Sequence, residues 1–190
     1  MRKDLDRYMQ EQDIDALWIS GAAQNNPDMV YFTGIHHVSS ADLIKVRGQE
    51  AILFYNSMER EEAAKTGLQL IGYDEKYPIR KYFQAAGGDH VKAIALRYQD
   101  IFTDFGIHNK TVAIAGKYDL SAFYAMVSAI KELLPEINFI GFVMESSIKL
   151  ARLTKGQEEI DHIRKMGKVT TEVVAKTADF LCNCAVKQDF

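Results

Sequence analysis

The chain has 190 residues, of which 47% are apolar and 26% charged, with a formal net charge of −3. Such a balance describes a globular chain able to bury one sizeable core without help from a disulfide or a structural metal. A net negative charge without any run of Lys and Arg excludes a nucleic-acid surface, and no segment is apolar for the length that a bilayer span needs.

The first twelve residues are charged and lack the apolar stretch of an export signal, which sets the cytoplasm as the expected compartment. Residues 3–12 read instead as a helix with Leu5, Tyr8 and Met9 on one face. Residues 16–19 are wholly apolar, as in a central strand covered on both faces. Residues 21–28, with two Asn and a Pro, read as a loop. Residues 42–46 and 51–55 make two strands joined by Arg47-Gly48-Gln49-Glu50 in a hairpin. Ser57 is the expected N-cap of a helix reaching Lys65, whose early acids Glu59, Glu61 and Glu62 suit the positive end of the helix dipole, and Gly67 closes it.

A strand is expected over residues 68–73, a short helix over 80–86, and a longer one capped by Asp89 and stopped near Phe105 by Gly106. Residues 111–115 form another strand. Phe123, Met126, Val127, Ile130, Leu133 and Leu134 then recur at helical spacing up to Pro135, before a last strand over 137–141. Strands alternating with helices along the chain imply an α/β layer architecture. From Gln157 a helix of about twenty-five residues follows, with Ile160, Ile163, Met166, Val169 or Thr170, Val173 and Thr177 on one face. That stripe needs a partner, whether the preceding core, a second copy, or the rest of a second domain.

Three stretches point to one family. Leu5-x-x-Tyr8-Met9 followed by Asp15-Ala16-Leu17, the turn Tyr31-Phe32-Thr33-Gly34, and Arg152-x-x-Lys155 leading into Glu159-Ile160-x-x-Ile163-Arg164 occur in that order. The chain thereby resembles the amino-terminal domain of the creatinase, prolidase and aminopeptidase P family. The resemblance implies, for residues 1–150, a mixed twisted sheet of about six strands flanked by helices, ribonuclease H-like in kind. Residues 151–190 would be the junction and first long helix of a truncated catalytic domain of the pita-bread fold. It further implies a non-catalytic role in a metal-dependent Xaa-Pro peptidase (a prolidase or aminopeptidase P), helping to build a homodimer and close the active site. In such enzymes two Asp, one His and two Glu downstream hold two divalent metal ions (Mn, Co or Zn) that activate water, with short proline-containing peptides as substrates. No catalytic residue and no metal ligand is therefore expected in this chain, nor a nucleic-acid or membrane partner. A stand-alone binding or dimerisation module, and the amino-terminal domain of a creatinase-like amidinohydrolase, are the alternatives.

His36 and His37 are the candidate substrate-contacting residues. In prolidase-like relatives the corresponding loop can reach a neighbouring subunit's active site, where an imidazole could bind a dipeptide carboxylate. The plainer reading is a solvated loop. Elsewhere Glu159 and His162 have a Glu-x-x-His spacing but read as a solvated face, and Cys182 with Cys184 supplies only half a metal site. His90 and His108 are isolated, Gly87-Gly88 belongs to no phosphate loop, and Trp18 reads as core. Asp100 and Asp104 share a helix face with nothing expected to converge on them.

Overall fold

Strands buried on both sides organise the molecule, which is described here from a computed structural model covering residues 4–184. The expected helix start at residue 3 lies outside the described residues. Strands β1 (Ala16–Ser20), β2 (Ala41–Val46), β3 (Ile52–Tyr55), β4 (Gln69–Gly72), β5 (Thr111–Gly116) and β6 (Asn138–Gly141) form one sheet in the order β4-β3-β2-β1-β5-β6. The pairs β1–β2 and β2–β3 are antiparallel, whereas β1–β5, β3–β4 and β5–β6 are parallel. The mixed six-stranded sheet expected from the sequence is therefore present.

Because strand side chains alternate between faces, each strand feeds two cores. Trp18, Ile44, Phe54 and Val112 face one side, packed with residues of α5 (Ile79–Ala85), α6 (His90–Asp104) and α7 (Leu120–Leu133). Leu17, Ile19, Leu43, Leu53 and Ala113 face the other, under α1 (Asp4–Glu11), α2 (Pro27–Thr33), α3 (Arg60–Lys65) and α8 (Ser147–Leu153). A four-residue turn of helix, α4 (Tyr73–Lys76), follows β4 directly. The chain divides into two compact units, the first ending at Arg152 and the second starting at Leu153. The second holds α9 (Gln157–Cys182), none of whose residues is buried.

Three local expectations are corrected. The segment read as a loop over 21–28 ends in α2, which takes in Tyr31, Phe32 and Thr33. Asn26, not predicted as a cap, accepts from the Met29 N–H, and Pro27 occupies the first turn, where its missing N–H costs nothing. Ser57 is not the N-cap: Asn56 accepts from the Met58 N–H and starts a 3-10 turn over Ser57–Glu59 that leads into α3, while Ser57 Oγ donates to Asp74 at 2.7 Å. The strand read as 68–73 stops at Gly72, since Tyr73 already begins α4.

The β2–β3 hairpin is fastened to α1 by a buried cation. Lys45 is completely inaccessible, and its Nζ lies 2.6 Å from Asp6 Oδ1 and 3.1 Å from the Val46 carbonyl oxygen. The same Asp6 oxygen accepts the Gly48 N–H at 3.1 Å, so one carboxylate holds both the strand and its turn. Removing one partner of a buried pair leaves the other uncompensated. Asp6→Asn is therefore expected to cost about 3 kcal/mol, the lower end for such a break because Asp6 is 38% exposed. Lys45→Met, which removes the buried charge itself, should stay within about 1 kcal/mol of the parent or exceed it. Urea denaturation of the two variants checks this, and equal losses would contradict it.

Candidate functional site

Loops leaving the carboxyl ends of β1 and β5 diverge, the first to α2 under one face and the second to α7 on the other. In open α/β sheets such a switch point leaves a crevice. Here the two backbones nearly touch at that edge: Lys117 N–H donates to the Ser20 carbonyl at 3.1 Å. A Cβ on Gly21 would fall 2.0 Å from the Lys117 oxygen, and one on Gly116 would fall 2.2 Å from the Ser20 oxygen. Both glycines also have positive φ, 108° and 115°, so side chains are excluded twice over.

Beside this crossing lies a cleft of about 640 Å³, bordered by β1, the start of β2, α4, α6 and the entrance to α7. Asp42, the second residue of β2, lines it and is buried. Its Oδ1 accepts from Trp18 Nε1 at 3.1 Å, and its Oδ2 accepts from Tyr98 OH at 2.7 Å and from Tyr73 OH. Trp18 is core as expected, packed against Tyr98 with ring centroids 4.6 Å apart, but it also brings a buried N–H that Asp42 satisfies. The Arg97 guanidinium lies 4.4 Å from the centre of the Tyr73 ring. Burial first, and then the charge of Asp42, pushes the phenols of Tyr73 and Tyr98 well above the ordinary tyrosine range.

His36 and His37 stand apart from that cluster and do not line the cleft, although Ser39 and Ser40 of the same loop do. His36 is half-buried and His37 exposed. Gln24 Nε2 lies 2.6 Å from His37 Nδ1. The loop is tied down by Glu59, whose carboxylate accepts the N–H groups of Ser39 at 2.6 Å and Ser40 at 3.3 Å. The Glu62 carboxyl is held below its usual range, chiefly by Lys65 and further by the His37 backbone and the His36 charge. His37 thus faces a second, acidic hollow of about 520 Å³ formed with Glu59, Glu61 and Glu62.

Asp100 and Asp104 overturn the expectation that nothing converges on them. Tyr82 OH donates to Asp100 at 2.7 Å and Lys81 Nζ at 3.0 Å, while Tyr77 OH donates to Asp104 at 2.7 Å with Lys76 Nζ 3.0 Å away. Two Lys-Tyr pairs five residues apart thus clamp two carboxylates four apart on α6. Glu159 Oε2 accepts the Gly156 N–H at 2.8 Å, so it serves the start of α9. Cys182 and Cys184 are free and exposed. Among the described residues no three His, Cys, Asp or Glu side chains stand together as a metal site, and no helix is long and apolar enough to cross a membrane. Asp42, Tyr73, Arg97 and Tyr98 were not singled out from the sequence. The available signal was an acid, Asp42, sharing a short strand with Lys45 and four apolar residues, which burial obliges to find donors.

The family model for the Creatinase/Prolidase N-terminal domain matches residues 1–165. Among solved structures, the fold is similar to an X-Pro aminopeptidase from Thermotoga maritima, with a TM-score of 0.59 and 20% identity over 91% of this chain and 43% of that one. A dipeptidase from Pyrococcus horikoshii gives a TM-score of 0.56 at 17% identity, covering 90% of this chain and 42% of that one. A prolidase from Thermococcus sibiricus gives 0.55 at 11% identity, covering 92% and 42% respectively. The chain thus spans less than half the length of each of these relatives. No curated protein matches the sequence.

The raised phenols of Tyr73 and Tyr98, joined by those of Tyr77 and Tyr82, make stability depend on alkaline pH. An unfolded tyrosine ionises near pH 10, whereas Tyr73 and Tyr98 hold their protons to higher pH in the folded state. Above about pH 10 the folded state therefore binds more protons than the unfolded one, and stability falls as pH rises through the folded values. Urea midpoints should be flat from pH 7 to 9 and decline beyond about pH 10. Tyr73→Phe/Tyr98→Phe should be less stable at neutral pH but decline less steeply, and an unchanged slope in that variant would count against the assignment.

Proposed function

Because this chain belongs to the creatinase/prolidase N-terminal domain family, we propose that it is the non-catalytic N-terminal domain of a cytoplasmic, metal-dependent Xaa-Pro peptidase. In this reading residues 1–150 help form a homodimer and close the active site, and residues 151–190 open the catalytic domain. The observation that carries the reading is the extent of the family match, which runs through the first unit and across the junction to residue 165. The solved relatives of similar fold are named as an X-Pro aminopeptidase, a dipeptidase and a prolidase, and each is more than twice as long as the region matched.

The two divalent ions of such a peptidase would supply an activated water, and the described residues of this chain provide no donor set for them. Its own contribution is positional. Glu59 holds the loop of His36 and His37 against the fold, which presents the exposed His37 imidazole at the surface. Held there, an imidazole can donate a ring N–H to the carboxylate of a short peptide bound to a neighbouring subunit.

The coding sequence beyond the codon for Phe190 tests the reading directly. Two Asp, one His and two Glu in that order, with Xaa-Pro hydrolysis by the encoded protein, are expected. A stop codon would instead leave a binding or dimerisation module, and a histidine-based site without the metal ligands would indicate a creatinase-like amidinohydrolase. In the complete enzyme, replacing His36 and His37 by Ala should raise KM for Xaa-Pro dipeptides about tenfold, the effect of losing one charge-assisted hydrogen bond. Unchanged kinetics would return the loop to plain solvated surface.

A further inference from the structure

The cleft beside the β1–β5 crossing holds cationic capacity that the domain does not use. Its acids are engaged: Asp42 accepts three donors, Asp119 Oδ1 caps α7 by accepting the Ala122 N–H at 2.8 Å, and Asp74 Oδ2 accepts Ser57 Oγ at 2.7 Å. Its cations meet no acid, although the Arg97 guanidinium lies over the Tyr73 ring. Arg97 and Lys117 both line the cleft, and among the described residues neither has a carboxylate within ion-pair distance. The Nε of Arg97 is moreover buried without a hydrogen-bond partner. A buried donor on a charged group is rarely left so unless a ligand or ordered water supplies the acceptor.

Two further features define what would fit. The amino end of α7, a helix of 14 residues, borders the same cleft through Asp119 and Ala122, and its positive pole, met in part by the Asp119 cap, favours an anion. The remaining wall is apolar, with Ile79 and Tyr118 exposed at 38% and 54% and Ile94 half-buried. A volume of about 640 Å³ suits a small molecule rather than a lone ion. A bare inorganic anion would leave that apolar wall in water, and an uncharged apolar molecule would leave Arg97 unmet.

We propose that this cleft binds a small organic anion, a carboxylate or phosphate carried on an apolar body, with its acidic group on Arg97 and Lys117 and its body against Ile79, Ile94 and Tyr118. The site lies within the first unit and is independent of the histidine loop, so it stands or falls separately from the peptidase reading.

Calorimetric titration of the 190-residue chain with phenyl phosphate, benzoate and inorganic phosphate tests it. One of the two aromatic anions should bind saturably at a single site, with Kd on the order of 1 mM or below. The tighter of the two identifies the acidic group as phosphate or carboxylate. Inorganic phosphate should bind about tenfold more weakly for want of the apolar body. Arg97→Gln and Lys117→Gln should each weaken the aromatic anion about tenfold. Lys117 is exposed, so its variant should keep the parent melting temperature and decide the matter even if Arg97→Gln does not fold. Absence of saturable binding by all three probes would overturn the proposal. So would undiminished affinity in Lys117→Gln, or equal affinity for inorganic phosphate.

Discussion

A carboxylate taken out of water is costly unless its lone pairs are met by donors, and Asp42 meets that condition with groups from three separate elements. Trp18 reaches it from β1, Tyr73 from the start of α4 and Tyr98 from α6. Each of those donors is itself buried and would be unsatisfied without the acid. The cluster therefore fixes the depth of the β1–β2 pair against α6 and sets where the chain must turn after β4. The cleft follows from it, because α4 and α6 are drawn to Asp42 at one edge of the sheet while α7 departs from the crossing of β1 and β5.

The parity of β2 explains why one strand carries two buried charges that do not neutralise each other. Asp42 and Lys45 are three residues apart, so the pleat sends them to opposite faces. Asp42 points toward the aromatic core with Trp18, and Lys45 points toward α1, where Asp6 receives it. Each charge recruits a helix on its own side. Hydrophobic burial alone would hold helices against both faces with little preference for where along the sheet they sit. Directional partners such as these select one placement, and the clamps of Lys76-Tyr77 on Asp104 and Lys81-Tyr82 on Asp100 do the same for the end of α4 and for α5 against α6.

What was legible in the sequence divides along the same line. The strands could be read because residues such as Ala16, Leu17, Trp18 and Ile19 are apolar on both faces, and α6 could be read because Asp89 caps it in the expected way. Short helices were harder. α2, α4 and α8 have seven residues or fewer, below the length at which local preference sustains a helix, and rely on tertiary contacts such as the buried Met29 and Ile148. Ser57 and Asn56 compete for one capping role, and the choice falls to Asn56 once Ser57 is engaged by Asp74. The histidines drew notice as residue types. The Asp42 cluster joins positions from 18 to 98, and topology rather than spacing brings these together. Only the oddity of acid and base inside an apolar strand announced it.

The second unit obeys a different balance. α9 has 26 residues and extends about 39 Å along its axis. Ile163, Met166, Val173 and Phe180 lie along it at exposures between 48% and 68%. Glu159 secures its first turn, and pairs such as Gln157 with Asp161 decorate its side, but surface contacts of this kind contribute only tenths of a kcal/mol each, about 0.2–0.5. Most helical stability in a protein comes from packing an amphipathic face. The first unit has both faces of its sheet covered, whereas α9 is an element whose apolar stripe is complete only against another surface. Under the function proposed above, that surface is the catalytic domain that α9 begins.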